Sequence, residues 1–244
     1  MKGEVLFLSD LHLSAERRPA VDAFVQFLGN RAPAAEAVYI LGDLFDAYIG
    51  DDDLGFPNGV VGSALRTLTA AGTRVYFQHG NRDFLVGECF ARRTGVQLLA
   101  DYAVIDLQGV RTLLTHGDLL CTDDVQYQTA RERVRTSEWK KRALSRPLFV
   151  RRWYARWYRY KSGRDKSGKT AEIMDVNDDT VVETMRRHGV TRLIHGHTHR
   201  PAVYDVKLGE GPGQRFVLAE WKGHAEVLAW INGGWLNEPV PTRR

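Results

Sequence analysis

The chain has 244 residues and a mass of 27.6 kDa, which allows one large hydrophobic core with or without a smaller appendage. With 43% hydrophobic and 26% charged residues it has the composition of a soluble globular protein. No apolar run approaches the roughly 20 residues that span a bilayer, and the run VLFLS is too short for a signal peptide. These features exclude a membrane-spanning protein and predict a cytoplasmic one.

The net charge of +4 is unevenly distributed along the chain. Residues 137–169 contain twelve Lys or Arg and two acidic residues, an excess of +10, which leaves about −6 for the remainder. A basic segment of this kind indicates an anionic partner, such as a phosphate, a nucleic acid or an anionic membrane surface.

Short apolar runs that end in polar clusters predict buried β-strands. In chain order these runs are EVLFLSDLH, AVYILGDLFD, RVYFQHGNRD, RTLLTHGD and RLIHGHTHR. The helical patterns PAVDAFVQFLGNR and DFLVGECFARRTG lie between some of them, which favours an α/β layered core. Near the C-terminus, RFVLAEW and AEVLAWING predict antiparallel strands, so we expect mixed sheets.

Residues 122–188 break the alternation of strands and helices. They carry few strand signals and predict helices and loops, including the flexible basic loop SGRDKSGKT. We therefore expect a core formed by 1–121 and 189–244, with 122–188 inserted in it as a helical cap.

Candidate metal ligands follow five of the predicted strands, where ligands of α/β sheets gather. They are Asp10, His12, Asp43, Asn81, His116, His197 and His199. The D-x-H and H-x-H spacings would put two side chains on one side of an extended backbone. Glycines beside four of these residues would allow tight turns and a close approach of the backbone to a ligand.

The types of these ligands indicate the kind of metal. Imidazole, carboxylate and amide oxygen without thiolate suit Mn²⁺, Fe²⁺ or Zn²⁺. Seven ligands are too many for one catalytic ion with an open position, but they fit two ions that share a bridging carboxylate. Two ions about 3.5–4 Å apart can clamp a phosphoryl oxygen and activate water. Two aspartates against two divalent ions leave positive charge, which favours a phosphate.

The motifs SDLHL, LGDLFD, HGNRD, THGD and HGHTH resemble, in this order, those of the calcineurin-like metallophosphoesterase superfamily. The resemblance covers the core from Asp10 to His199. It implies an α/β fold, a four-layer α-β-β-α sandwich with two mixed β-sheets, and a two-metal site. By motif, the first metal would be held by Asp10, His12, Asp43 and His199, and the second by Asn81, His116 and His197, with Asp43 bridging.

Arg82 departs from the pattern of many superfamily members, which have histidine at this position. Arginine cannot act as a useful acid, because its pKa is above about 12. A fixed guanidinium suits a departing phosphate, which needs no proton, better than a departing alkoxide. We therefore expect a pyrophosphate substrate. In the alternative, Arg82 only pairs with Asp83 and holds the loop.

The stretch PLFVRRWYARWYRYKSGRDKSGKT predicts an amphipathic basic helix. Its aromatic stripe contains Phe149, Trp153, Trp157 and Tyr160, and its other side contains Arg151, Arg152, Arg156 and Arg159. Three interpretations stay open. The stripe could pack on the core with solvated arginines, form a lid over an acyl-chain groove that touches anionic lipid, or stack on nucleic-acid bases.

The segments GNRD, GDLLCTDD and EIMDVN, with the Lys/Ser-rich loop, resemble the UDP-2,3-diacylglucosamine pyrophosphohydrolases of lipid A biosynthesis. This resemblance implies an Mn²⁺-dependent hydrolase that yields UMP and 2,3-diacylglucosamine 1-phosphate by attack of activated water on the α-phosphorus. It also implies peripheral attachment to the cytoplasmic face of the inner membrane. We expect a monomer that binds no nucleic acid.

The same resemblance implies the substrate contacts. They are Asn81, Arg82, Asp124, Ser162, Lys166, Lys169 and His197, of which Asn81, Arg82 and His197 would also act in catalysis. The family often has Asn where this chain has Lys166. Two alternatives remain: another metallophosphoesterase activity, such as a nuclease or a nucleotide phosphodiesterase, and a binding module without turnover.

Overall fold

The computed structural model describes residues 3–166, 175–209, 211–222 and 225–241, with the backbone alone for 158–166. Its strands are β1 Val5–Leu8, β2 Ala37–Leu41, β3 Arg74–Gln78, β4 Gln97–Leu98, β5 Ala103–Leu107, β6 Val110–Leu114, β7 Arg192–His195, β8 Ala202–Lys207, β9 Pro212–Val217, β10 Ala225–Ile231 and β11 Gly234–Val240. Its α-helices are α1 Arg18–Asn30, α2 Asn58–Ala70, α3 Glu88–Thr94, α4 Val125–Arg135, α5 Ser137–Leu144, α6 Leu148–Lys166 and α7 Asp178–Arg187.

The strands form two mixed sheets, as the sequence predicts. The first has the order β11-β10-β1-β2-β3-β4, in which β1 to β4 are parallel and the two C-terminal strands antiparallel. The second has the order β5-β6-β7-β9-β8, with β6, β7 and β9 parallel. The parallel strands of each sheet end at one edge, so the loops that follow them can meet there.

Alternation along the strands separates an inner core from an outer one. In β1, Phe7 points into the layer between the sheets, whereas Leu6 and Leu8 point toward the helices on the outside. The inner layer is aromatic: the Phe216 ring of the second sheet lies 4.6 Å from the Trp235 ring of the first, measured between centroids.

Helices cover the outer face of each sheet and complete four layers. The apolar side of α1, including Phe24 and Phe27, packs on the first sheet. Met185 and Val181 of α7 pack against Leu193 of the second sheet. This arrangement confirms the α-β-β-α sandwich. Since α7 serves as a core layer, we propose that the inserted cap comprises α4 to α6 and ends before residue 178.

Helix α4 is attached to the core by one row of side chains. Tyr127, Arg131 and Arg135 lie four residues apart and share a helix face. The Tyr127 hydroxyl and Nε of Arg131 both donate to the buried carboxylate of Asp118, at 2.6 and 2.7 Å. Arg135 donates to the carbonyl of Gly80 at 2.8 Å. The cap is therefore connected directly to two loops that carry candidate ligands.

Replacing Arg131 by methionine should lower the free energy of unfolding by about 3–5 kcal/mol, because the Asp118 carboxylate would stay buried without its cation. Burial would raise the pKa of Asp118, but the charges of His116 and Arg131 hold it below its ordinary 3.8. This contribution is therefore complete above that value and is lost as the pH falls below it. Urea unfolding at pH 7 and at about pH 2.5 measures both effects.

Arg133→Met is the matched control for this prediction. Arg133 lies on the same helix and is exposed, so its replacement should change stability by no more than about 0.5 kcal/mol. Equal unfolding midpoints for the Arg131 variant and this control would show that the ion pair does not stabilise the fold.

Helix α6 turns an arginine, not its aromatic stripe, toward the core. Phe149 and Trp153 are 74% and 66% exposed. Arg151 is buried and donates to the Ile49 carbonyl at 2.6 Å and to Asp52 Oδ1 at 2.8 Å. The interpretation that the stripe packs on the core is therefore wrong for its described residues, and Arg151 is not solvated.

None of the helices within the described ranges combines the length and the apolar character needed to cross a bilayer.

Candidate active site

The loops after β1, β2, β3, β6 and β7 bring all seven candidate ligands to one end of the sandwich. Each of these strands ends two or three residues before the first candidate on its loop. The strands are parallel within their sheets, so the loops converge as the sequence predicts.

The backbone that carries these side chains is left-handed at five positions. The φ angles are 56° at Asp10, 49° at His12, 52° at Asp43, 69° at His197 and 56° at His199. Non-glycine residues rarely adopt positive φ, and such strain is concentrated at functional sites. The expectation of an extended D-x-H and H-x-H backbone is wrong. The side chains converge because the chain turns sharply after each strand.

At two positions only glycine fits, because aspartate side chains of other loops lie directly against the backbone. A Cβ on Gly80 would collide with the carboxylate of Asp43, and one on Gly196 would collide with Ser9 and Asp10. Neither position leaves space for a larger residue, so the loops after β3 and β7 can lie directly against the aspartates.

Asp10, His12 and His199 form the first ligand cluster. Nε2 of His199 lies 3.2 Å from Asp10 Oδ1 and 3.4 Å from Nε2 of His12. One ligand atom from each of the three residues falls within 4.8 Å of the others, the spacing of atoms that share one ion. The resemblance had implied these three residues for one metal.

Asn81, His116 and His197 form the second ligand cluster. Oδ1 of Asn81 lies 3.1 Å from Nε2 of His116 and 3.0 Å from Nδ1 of His197, and the two nitrogens are 3.2 Å apart. Nδ1 of His116 donates to the Leu41 carbonyl at 2.8 Å, so Nε2 is the nitrogen that faces the cluster and that would bind a metal once it has lost its proton. Acceptor atoms at these distances repel one another unless a proton or a cation lies among them.

Asp43 lies between the two clusters and is buried. Its Oδ2 is 3.8 Å from Nδ1 of His12, and its Oδ1 is 3.8 Å from Nε2 of His116. Each carboxylate oxygen therefore lies nearest to a residue of a different cluster, which makes Asp43 the candidate for a bridging ligand. The donor set of imidazole, carboxylate and amide oxygen fits a pair of divalent transition-metal ions.

Burial and neighbouring charges shift the pKa values of several candidate ligands. Burial alone would lower the pKa of His116, but neighbouring carboxylates, first that of Asp43 and then that of Asp10, raise it to about 9. Burial raises the pKa of Asp43 to about 6 and lowers that of His12 to about 4. A metal ion that binds to these side chains would displace the protons that they hold, so metal binding should release protons.

Asp83 connects two of the ligand loops, a role that the sequence did not reveal. Its buried carboxylate accepts from the backbone N–H of Gly80 at 2.9 Å, of Leu44 at 2.7 Å and of Asp43 at 3.3 Å. It therefore joins the loops after β2 and β3. Within the described ranges Asp83 forms no ion pair with Arg82, which removes the alternative in which Arg82 serves only to pair with it.

A cavity of about 660 Å³ opens beside the ligand clusters. Arg82 lines it together with ligand residues from both clusters. None of the other side chains around it was predicted from the sequence to bind metal or substrate; they are Ser14, Glu16, Arg17, Asp46, Glu220 and Lys222. Glu220 lies within the stretch RFVLAEW that was predicted as a strand, and Lys222 follows it, but no spacing or motif there indicated a site. In the structure β9 ends at Val217, so both residues lie in the loop after it.

The other predicted substrate contacts are only partly described. Oδ1 of Asp124 accepts from the backbone N–H of Tyr127 at 3.1 Å and caps α4. Ser162 and Lys166 belong to the part of α6 for which only the backbone is described, and Lys169 lies outside the described residues. Their contact with substrate stays a prediction.

The sequence profile of the calcineurin-like phosphoesterases matches residues 3–201. UDP-2,3-diacylglucosamine hydrolase of Haemophilus ducreyi is 48% identical over 216 residues, covering 88% of this chain and 91% of that protein. The proteins of the same name from Pseudomonas paraeruginosa and Escherichia coli are each 46% identical. The alignment with the Pseudomonas protein covers 97% of this chain and 99% of that protein. The alignment with the Escherichia coli protein covers 91% of this chain and 93% of that protein. The chain belongs to the calcineurin-like phosphoesterases and, among them, to the family of the UDP-2,3-diacylglucosamine hydrolases.

Proposed function

We propose that the chain hydrolyses the pyrophosphate bond of UDP-2,3-diacylglucosamine to UMP and 2,3-diacylglucosamine 1-phosphate, a step of lipid A biosynthesis. The observation that carries this proposal is the combination of two ligand clusters beside the buried Asp43 with a permanent cation, Arg82, in the adjoining cavity. The names of relatives that are 46–48% identical along most of the chain support it.

Two divalent ions would be held by the two clusters, with Asp43 between them. When bound, such ions polarise a phosphoryl oxygen and lower the pKa of a water. We propose Mn²⁺ as the physiological ion, and the same donors also suit Fe²⁺ and Zn²⁺. Asn81 contributes an oxygen without negative charge, so the site keeps the positive potential that attracts a phosphate.

The chain's own residues would orient and stabilise the substrate. Arg82 can donate from two nitrogens to the phosphate that departs with the sugar. The backbone N–H of Arg82 donates to Asp43 Oδ1 at 2.8 Å, so the residue is held beside the candidate bridging carboxylate. The sugar 1-phosphate is a stable anion near neutral pH and needs no strong acid to leave.

The exposed aromatic side of α6 supports a peripheral attachment to the cytoplasmic face of the inner membrane. Phe149 and Trp153 are largely exposed and lie within the basic segment 137–169. Aromatic side chains beside clustered Lys and Arg suit an anionic lipid surface. The acyl chains of the substrate would lie near this helix. We propose that the protein works there as a monomer and binds no nucleic acid.

Chelation should remove the activity. In detergent with Mn²⁺ the purified chain should release UMP from UDP-2,3-diacylglucosamine, and EDTA should reduce the rate by at least about 10³-fold, because the ligand clusters alone cannot polarise the phosphate. Added Mn²⁺ should restore it. Release of UMP is followed by chromatography.

The same assay separates the alternatives. Faster cleavage of DNA or of a cyclic nucleotide than of UDP-2,3-diacylglucosamine would replace the proposed substrate and keep the metal site. Tight binding of UDP-2,3-diacylglucosamine without UMP release in Mn²⁺ would indicate a binding module instead of an enzyme.

A further inference from the structure

Glu220 contacts the ligand His199 on the side that faces away from the first cluster. Oε2 of Glu220 lies 2.7 Å from Nδ1 of His199. A carboxylate can only accept, so Nδ1 of neutral His199 carries the proton and donates it. Nε2 is then the nitrogen left to serve as a metal ligand, and it lies 3.2 Å from Asp10 Oδ1 and 3.4 Å from Nε2 of His12.

The loop that carries Glu220 is held on both sides of this residue. The backbone N–H of Leu218 donates to the His195 carbonyl at 2.8 Å, and that of Trp221 donates to the Asp10 carbonyl at 3.1 Å. The Trp221 ring is buried on α1, with its centroid 5.8 Å from that of Phe24. Glu220 therefore has little freedom to leave the ring of His199.

Arg17 connects the same loop to the first ligand loop. Its Nη1 donates to the carbonyls of Leu11 and His12 at 2.8 and 3.3 Å, and its Nη2 donates to the carbonyl of Trp221. The backbone on either side of the first cluster is thus fixed by one guanidinium. This support lies in the same part of the structure as Glu220 and limits its movement relative to His12.

We propose that Glu220 is a positioning residue that fixes the tautomer and ring orientation of His199 for metal binding. A carboxylate that accepts from the second nitrogen of a ligand imidazole sets which nitrogen binds and raises its basicity. The role rests on the metal site of the proposed function. It concerns a residue outside the seven candidate ligands and the predicted substrate contacts.

Glu220→Ala should weaken Mn²⁺ binding by about 10–100-fold, because the His199 ring loses its acceptor and can rotate or change tautomer. Glu220→Gln keeps an acceptor oxygen and lacks the charge, so its affinity should lie between those of the wild type and the alanine variant. Calorimetric titration with Mn²⁺ in the absence of substrate measures this. Glu226→Ala, which removes a carboxylate from the neighbouring β10, should bind as the wild type does.

The tautomer of His199 can be measured in protein that holds neither metal nor substrate. In metal-free protein, ¹⁵N NMR of the imidazoles, assigned with a His199→Gln variant, should show Nδ1–H at His199 in the wild type and in Glu220→Gln. Glu220→Ala should lose this signature while its melting temperature stays close to that of the wild type.

Wild-type Mn²⁺ affinity and an unchanged His199 tautomer in Glu220→Ala would overturn the role of Glu220. A wild type that binds no Mn²⁺ would overturn the metal site and this role together. If Mn²⁺ binds but no UMP is released, the proposed substrate fails and the role of Glu220 stands or falls on the titration and the NMR signature alone.

Discussion

Asp43→Ala should abolish hydrolysis of UDP-2,3-diacylglucosamine, with a loss of at least about 10³-fold in kcat/KM, or about 4 kcal/mol of transition-state stabilisation. Asp43 has one oxygen directed to each ligand cluster, 3.8 Å from His12 and 3.8 Å from His116. If Asp43 bridges as proposed, its removal would take a ligand from both ions at once, and the two clusters could then no longer hold a pair at a fixed separation. UMP release and the number of Mn²⁺ ions bound per chain measure the two losses.

Asp43 also accepts from the backbone N–H of Arg82, so a structural effect has to be separated from the loss of a ligand. Asp43→Asn keeps an oxygen that can accept from Arg82 and lacks the charge, and it should lose nearly as much activity as the alanine variant. The exposed Asp22→Ala on α1 is the control for a missing carboxylate and should keep full activity. Near-normal turnover in Asp43→Ala would refute the bridging role.

The strands and the convergence of the ligands could be predicted because they depend on local signals. A run such as VLFL in β1 alternates between two apolar layers and stops at Ser9 and Asp10, where polar side chains begin. Parallel strands then place their following loops at one edge. The geometry of the ligands was not predictable in the same way, because the left-handed backbone at Asp10 and His12 leaves no mark in the spacing.

The orientation of α6 could not be predicted, because its sequence has the pattern of an ordinary amphipathic helix. A helix with aromatic residues on one side is expected to bury them. In the structure, Arg151 instead donates to the Ile49 carbonyl and to Asp52 of the core domain. These partners are about a hundred residues away in the sequence. Most partners of Glu220, Asp83 and Asp118 are also more than ten residues away in the sequence, and a single sequence gives no periodic signal for such contacts.

Arg82→Met should lower kcat for UDP-2,3-diacylglucosamine by about 10²–10³-fold, the usual cost of removing one donor aimed at developing charge. Arg82 lines the cavity beside both clusters, and no ion pair to Asp83 occupies its guanidinium in the described structure. Its positive charge reaches the ligands, since it contributes to lowering the pKa of His12 and opposes the rise in that of Asp43. The substrate's second phosphate would bind to this charge.

Substrates with different leaving groups test why residue 82 is an arginine. A phosphodiester that expels 4-nitrophenolate carries no second phosphate, so Arg82→Met should lose less than about tenfold on it if the guanidinium serves the pyrophosphate. Arg82→His should favour an alkyl phosphodiester, because imidazole can give a proton to the departing alkoxide. The exposed Arg66→Met controls for lost charge. Equal losses on both substrates in Arg82→Met would mean that Arg82 stabilises the attacked phosphate instead, and the inference of a pyrophosphate substrate from this residue would fail.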